Sequence, residues 1–428
     1  MSGYHLNRGM VGGLHCNSFY ASCEKLFRPD LRNIPVVVLS NNDGCVIARC
    51  ALAKKIVKMG VPYFQCKDLL EQTDCVVFSS NYTLYQDISN RVMATLESLA
   101  PDCEIYSIDD AWLDITQYPT ALINLFNYAN LLKQTVYQHV GVPVGVGIAP
   151  TKTLAKLANH HAKQNNGICV IDNDDYRVEL LSQTDISDIW GIGRQLTKRL
   201  NILGIKTALD LANYPIKPLA KQTSVLTERT ALELNGIRCY GLDSYEPKKE
   251  IVCSRSFGQR ITDKQQIIEA VTLYTTRGCE KLRSQQSLAK RITVFIRTGQ
   301  FNSNKKQRSV SQSMVLVHPN DDTREFIKLA INLVDYLWLD GYRYAKAGIM
   351  LTDFYSYDNY QTDLFDKRET LDTQKSQRLM QTLDLINKQF GSHTLKFASE
   401  GCKKKWQMSR DRLSPCYTTD IHQLPKVH

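Results

Sequence analysis

Apolar positions change their period several times along the chain, and each change predicts an element. Residues 13–25, "GLHCNSFYASCEK", predict the end of a short strand turning into a helix. The runs "IPVVVLS" (34–40) and "DCVVFSS" (74–80) are rich in β-branched residues and of strand length. Between them "GCVIARCALAKKIVKMG" (44–60) predicts a helix carrying Arg49, Lys54, Lys55 and Lys58. Residues 81–101 set Leu84, Ile88, Val92, Leu96 and Leu99 at helical spacing and stop at Pro101. "CEIYSIDDAWLDIT" (103–116) predicts strand, tight turn and strand, and "VPVGVGIAP" (142–150) a further strand. "TKTLAKLANHHAKQ" (151–164) predicts a helix opened by a threonine cap. Strand, helix, hairpin, helix and strand in that order predict a split βαβ sheet with helices on one face.

Beyond "GICVIDND" the pattern turns helical. Residues 186–212 carry two Gly-Ile steps, each followed by helix formers. Gly191 and Gly193 leave backbone N–H groups open at a helix start, beside Arg194, Lys198 and Arg199, a geometry that suits phosphate. An ordinary helical hairpin packed on isoleucine and leucine reads the same way. A third region begins near residue 253, where "RITVFIRTGQF" (291–301) and "RSVSQSMVLV" (308–317) alternate apolar and polar positions around the basic loop of Lys305, Lys306 and Arg308. Helices at 264–286 and 322–339 and the strand "KAGIMLTDF" make this a second α+β unit. Its loop either follows a phosphate backbone or is a solvated charged turn.

With 428 residues the chain predicts two to four domains. Its 43% hydrophobic and 22% charged content is ordinary for a globular protein, and the net charge of +10 favours a polyanionic partner. No apolar run approaches the roughly 18 residues of a membrane span, and the first residues lack a signal-peptide core. Thirteen cysteines without a C-x-x-C pair predict reduced thiols in a cytoplasmic protein. Two acids side by side in an apolar strand, Asp109 and Asp110, need positive charge against them.

Seven stretches in order, "CNSFYASCEKLFRPDL", "PVVVLSNNDGCVIAR", "FSSNYTLY", "EIYSIDDAWLD", "VGIAPTKTLAKLANHHAK", "IWGIGRQL" and "LSPCYTTD", resemble the Y-family translesion DNA polymerases. The resemblance implies a mixed α+β multidomain fold. A ferredoxin-like palm would span 11–20 and 79–171, fingers 21–78, a helix-hairpin-helix thumb 172–245 and a DNA-gripping little finger 253–356. Residues 357–428 would be a clamp-binding and C-terminal tail. It implies error-prone synthesis across damaged DNA, with primer-template DNA and dNTP as substrates and two Mg²⁺ ions, which Mn²⁺ can replace. Asp109 and Asp110 match the catalytic, metal-binding acids, Asp110 standing where the family usually has glutamate. Tyr20 matches the aromatic gate against a ribose 2′-OH, and Arg49, Lys54 and Lys163 match positions that hold the triphosphate.

His15 departs from the family, which has a metal-bridging aspartate there. Imidazole carries no negative charge, cannot bridge two ions and suits Mg²⁺ poorly. Gly12 and Gly13 are expected to weaken the strand that presents it. Either His15 impairs the site or it serves as an alternative ligand. The segment "NYQTDLFD" (359–366) resembles the pentapeptide bound by the bacterial sliding clamp, with Gln361, Leu364 and Phe365 as contacts and Thr362 in place of leucine. Trp406, interleaved with bases in the tail, is expected to touch DNA or a partner such as a UmuD-type or RecA-type protein. The competing reading is a polymerase-shaped adaptor joining DNA and clamp. A helix-hairpin-helix nuclease or glycosylase would account for residues 186–212 alone.

Overall fold

The computed structural model describes the chain from residue 9 to residue 424, apart from 101, 117–123, 164, 243–247, 300–305, 358–369, 392 and 403–405. The backbone divides into two compact units, Met1–Ser40, Gly44–Tyr245 and Arg412–His428 forming the first, Asn41–Asp43 and Glu246–Asp411 the second.

In the first unit β1 (Val11–Cys16) leads into α1 (Phe19–Leu26), followed by β2 (Val36–Leu39), β3 (Val46–Arg49), α2 (Tyr63–Gln72) and β4 (Val76–Ser79). The last three strands form a small sheet in the order β3-β2-β4. The helix expected over 44–60 is therefore a strand followed by a short 3₁₀ turn at Ala53–Lys55. Val46 and Ala48 point inward in alternation, and Ala48 and Arg49 pair with Val38 and Val37. An open β2 edge lets the period of two win over the helix formers that follow.

The larger sheet is built from β1, β5 (Asp102–Ile105), β6 (Asp110–Asp114), β7 (Val144–Ala149) and β8 (Ile168–Val170), in the order β5-β6-β1-β7-β8. α3 (Tyr82–Glu97) precedes β5, α4 (Leu125–Val140) precedes β7, and α5 (Lys152–Ala162) follows it, opened by Thr151, whose side chain accepts from Leu154 N–H. β6 lies antiparallel between β1 and β5, which makes the expected split βαβ sheet. The helices, however, cover both faces. Leu14, Val144, Val146 and Ile148 pack with Leu84 and Ile88 of α3 and Leu132 and Val136 of α4. Val11, Trp112 and Ala149, from the opposite face, pack with Leu154, Ala155 and Ala158 of α5. Alternate glycines in β7 permit that second layer, since a Cβ on Gly147 would lie 2.3 Å from the Ala155 carbonyl oxygen and 2.4 Å from the Asn159 nitrogen.

The first strand is not weakened by its glycines. β1 pairs with β6 and β7 on its two sides from Val11 to His15, and a Cβ on Gly13 would meet the Trp112 ring at 2.8 Å. Glycine is what this position needs. Helices α6 (Asp174–Gln183), α7 (Arg194–Ile202), α8 (Ala208–Asn213), α9 (Ile216–Gln222) and α10 (Val225–Leu234) complete the unit around Leu181, Leu200, Ile205 and Leu234.

The second unit contains β9 (Ile251–Ile261), α11 (Lys264–Ser284), β10 (Ser287–Thr298), β11 (Ser309–Asn320), α12 (Thr323–Leu337), β12 (Tyr344–Ser356) and α13 (Thr370–Phe390). Its sheet, in the order β11-β10-β12-β9, is antiparallel throughout. Ile292, Val294, Ile296, Ile349 and Leu351 pack with Val271 and Tyr274 of α11 and Phe326 and Val334 of α12. Trp406, expected as an exposed contact, is 4% exposed and edge-on to Phe257 and Tyr274 at 6.1 Å each. Its apolar area is worth more in this core than in water. The tail itself is divided, because residues from Arg412 onward belong to the first unit.

Candidate active site

The register of β1 on β6 sets His15 directly opposite Asp110, and Cys16 N–H donates to the Asp109 carbonyl at 2.8 Å. Both acids of the β5–β6 turn therefore stand beside the end of β1. His15 Nδ1 is 2.9 Å from Asp110 Oδ1 and 3.8 Å from Asp109 Oδ2. One ligand atom from each of the three lies within 4.8 Å of the others, the only such metal-competent group among the described residues. Ser107 fixes the turn. Its Oγ donates to Asp109 Oδ1 at 2.7 Å and accepts from the backbone N–H groups of Asp109 and Asp110 at 3.2 and 3.1 Å.

Strand alternation turns Asp110 and Trp112 toward α5. There Lys156 Nζ donates to Asp110 Oδ1 at 2.5 Å, and Lys152 Nζ to Glu104 Oε2 at 2.6 Å. Burial alone would raise the Asp110 carboxyl, but the hydrogen bonds and charges of His15 and Lys156 hold it below its ordinary range. Desolvation, with Lys54 and Lys156 nearby, pushes the Lys163 ammonium below its ordinary range against the pull of Asp110. Lys163 thus feels both Asp110 and the neighbouring lysines. Arg49 Nη1 donates to the Val57 carbonyl at 2.6 Å. Tyr20 stacks on Tyr85 with ring centroids 4.4 Å apart and meets Tyr82 edge-on at 6.1 Å. Burial, then Tyr82 and Asp109, push its phenol up to about 12.

Gly193 caps α7 and Gly191 has φ 85°; a Cβ on either would meet nothing within 4 Å. Arg194 and Lys198 are exposed on that helix. Lys306 is exposed as well, whereas Arg308 lies 5.6 Å over the Tyr342 ring and donates to the Leu337 carbonyl at 3.2 Å. Lys305, Gln361, Leu364 and Phe365 lie outside the described residues.

Several groups escaped the sequence reading. Lys152 and Lys156 had a signal, since with Lys163 they recur at intervals of four and seven along one helix face. Arg291, Arg297 and Lys346 share the sheet face turned away from the second unit's core, with Arg297 directly opposite Lys346. Glu233 is fully buried and fully engaged. Its Oε2 accepts from Thr153 N–H and Oγ1 at 2.9 and 2.7 Å, and its Oε1 from the N–H groups of Cys239 and Tyr240 at 3.0 and 3.1 Å. Nothing local in the sequence marks it.

Known proteins resemble this chain. Residues 14–160 match the impB/mucB/samB family, residues 248–364 its C-terminal domain, and residues 377–427 a domain of unknown function (DUF4113). Protein UmuC of Salmonella typhimurium is 46% identical over 417 residues, 96% of this chain and 98% of that protein. DNA polymerase IV of Oceanobacillus iheyensis is 27% identical over 89% of each chain. Among solved structures, the Y-family DNA polymerase chimera Dbh-Dpo4(243-245)-Dbh aligns over 81% of this chain and 99% of that one, with TM-score 0.66 and 24% identity. What is shared there is the fold, an α+β arrangement of palm, fingers, thumb and little finger.

Proposed function

Because the chain belongs to the impB/mucB/samB family, we propose that it is a DNA-directed DNA polymerase that copies damaged templates. The observation that carries this reading is the convergence of Asp109, Asp110 and His15 at the paired ends of β1 and β6. Primer-template DNA and an incoming dNTP are the substrates. The adaptor reading gives this acid pair, and the lysines ranged beside it, no task.

The donor set fits a divalent cation, since two carboxylates suit a hard ion and the imidazole suits Mn²⁺ better than Mg²⁺. Asp109, Asp110 and His15 would hold it, and such an ion neutralises charge as it develops on the phosphoryl oxygens. The chain's own residues do the rest. Lys54 and Lys163 face the triphosphate, Lys156 holds the Asp110 carboxylate in place, and Tyr20 closes the sugar side against a 2′-OH. The glycines ahead of α7, with Arg194 and Lys198, take phosphates of the duplex, and Lys305 and Lys306 are phosphate contacts of the second unit. Gln361, Leu364 and Phe365 bind a sliding clamp, and UmuD-type and RecA-type proteins are further partners.

His15 shifts the metal preference. Primer extension past a template lesion should be weak with Mg²⁺ and stronger with Mn²⁺, and His15→Asp should restore the Mg²⁺ reaction by returning a carboxylate. Strong Mg²⁺-dependent synthesis by the unaltered protein would refute impairment by His15. An inert His15→Asp variant with either metal would return the adaptor reading.

A further inference from the structure

The tail segment that returns to the first unit reaches the floor beneath Tyr20. Ser79 N–H donates to the Arg412 carbonyl at 2.9 Å, and Arg412 N–H donates to Ser79 Oγ at 3.0 Å, so the strap is stitched to the end of β4. The Arg412 guanidinium lies 4.9 Å over the Tyr63 ring. Two residues on, Ser414 Oγ donates to Glu24 Oε1 at 3.0 Å and accepts from Asn81 Nδ2 at 3.1 Å. Asn81 also donates to the Ser414 carbonyl at 2.9 Å, while its Oδ1 caps α3 at Leu84 N–H. The same Glu24 oxygen accepts the Tyr85 hydroxyl at 2.6 Å, and Tyr85 is the ring on which Tyr20 stacks.

This is a closed triangle of elements. α1 carries both Tyr20 and Glu24, one turn apart, and Tyr85 of α3 touches both, by its face and by its hydroxyl. Glu24 and Tyr85 are fully buried. A buried carboxyl here is expensive unless its hydrogen bonds hold one geometry, and Oε1 has its two donors while Oε2 has none among the described residues. Removing Ser414 leaves Tyr85 as the one remaining donor to that carboxyl among the described residues, so the acceptor that orients the ring under Tyr20 is held by one hydrogen bond fewer. Ser414 sits in the stretch that matches only a domain of unknown function.

We propose that Ser414 is a positioning residue for sugar selection, holding the Tyr20 gate in register through Glu24 and Tyr85. The inference rests on reading Tyr20 as the gate. It gives the C-terminal strap a task in nucleotide choice, separate from contact with any partner.

The test needs no turnover. The full-length protein is bound to primer-template DNA with a dideoxy-terminated primer in Mn²⁺ buffer, and affinities are measured for the matching dNTP and rNTP. Ser414→Ala should narrow the rNTP-to-dNTP Kd ratio about two- to tenfold, the equivalent of one hydrogen bond, chiefly by improving rNTP binding. Ser414→Thr, which keeps the hydroxyl, should stay at the parent ratio, and Tyr85→Phe should follow Ser414→Ala. Tyr20→Ala is the control for the gate and should narrow the ratio furthest. An unchanged ratio in Tyr20→Ala would remove the gate and this proposal together. A narrowed ratio there beside an unchanged one in Ser414→Ala would overturn the strap's role alone. Equal weakening of both nucleotides in Ser414→Ala would reduce the serine to a packing residue and also overturn it.

Discussion

Two of the sheets in this chain, the mixed five-stranded one and the antiparallel four-stranded one, are finished differently. The five-stranded sheet of the first unit is covered by α3 and α4 on one face and α5 on the other, so its carboxylates sit among lysines and aromatic rings. The four-stranded sheet of the second unit carries α11 and α12 on one face and turns Arg291, Arg297 and Lys346 away from that core. The covered sheet can tune individual groups, because partial burial makes hydrogen bonds and nearby charges count. On the open face Arg291 pairs with Asp353 at 2.8 Å, and charges exposed in this way are screened by salt.

The comparison breaks most sharply at Asp109. Asp109→Asn removes a charge from the tuned sheet while keeping its shape. Several kcal/mol of lost charge stabilisation should reduce primer extension about a thousandfold with either metal, while DNA affinity in a filter-binding assay stays at its parent value. Loss of both would mean that the two sheets do not divide the work. Next in size is the segment proposed to bind a sliding clamp. Leu364→Ala with Phe365→Ala should weaken clamp binding at least about a hundredfold in a calorimetric titration, each buried anchor being worth roughly 1.5–3 kcal/mol.

The open face sharpens the contrast more gently. Arg297→Ala with Lys346→Ala should lower DNA affinity uniformly across sequences and flatten the log-log salt dependence by about 0.9 for each phosphate no longer neutralised. Extension at saturating DNA should be untouched. The smallest effect is a matter of pH. Burial, opposed by the hydroxyls of Tyr85 and Ser414, raises the Glu24 carboxyl from 4.5 to about 7. The folded chain then keeps a proton that the unfolded chain releases, so stability should fall as pH rises from 4.5 to 7 and level off above. Cys23, Tyr85 and Tyr417 face this group, and their own titrations all lie higher. Glu24→Gln should flatten that part of a denaturant-midpoint profile against pH.

Local signals carried much of this architecture. Thr151 capping α5, the alternation of β7 and the paired aspartates at a hairpin turn are all written within a dozen residues. The resemblance directed attention to Tyr20 and Lys163 as well. What stayed illegible depends on distant partners. Residues 46–49 read as helix because their strand character comes from β2, and α5 was misplaced by a face because glycine in β7 marks a close approach without naming the visitor. Trp406 looked like a surface contact because its flanking lysines are near in sequence, while its true neighbours, Phe257 and Tyr274, are far away in it. Ser414 meets Glu24 across 390 positions.

The glycines of β7 have a mechanical consequence. With the backbone of α5 resting on the backbone of Gly147, there is no side chain between them to act as a cushion. Glu233 of α10 grips the first turn of that same helix through Thr153, and Thr151 Oγ1 donates to the Glu233 carbonyl at 2.9 Å. A pull on α10 therefore reaches α5 with little slack, and α5 carries the lysine that touches Asp110. A run of close contacts thus joins α10 to the acid pair, from Glu233 through the first turn of α5 to Lys156 and Asp110.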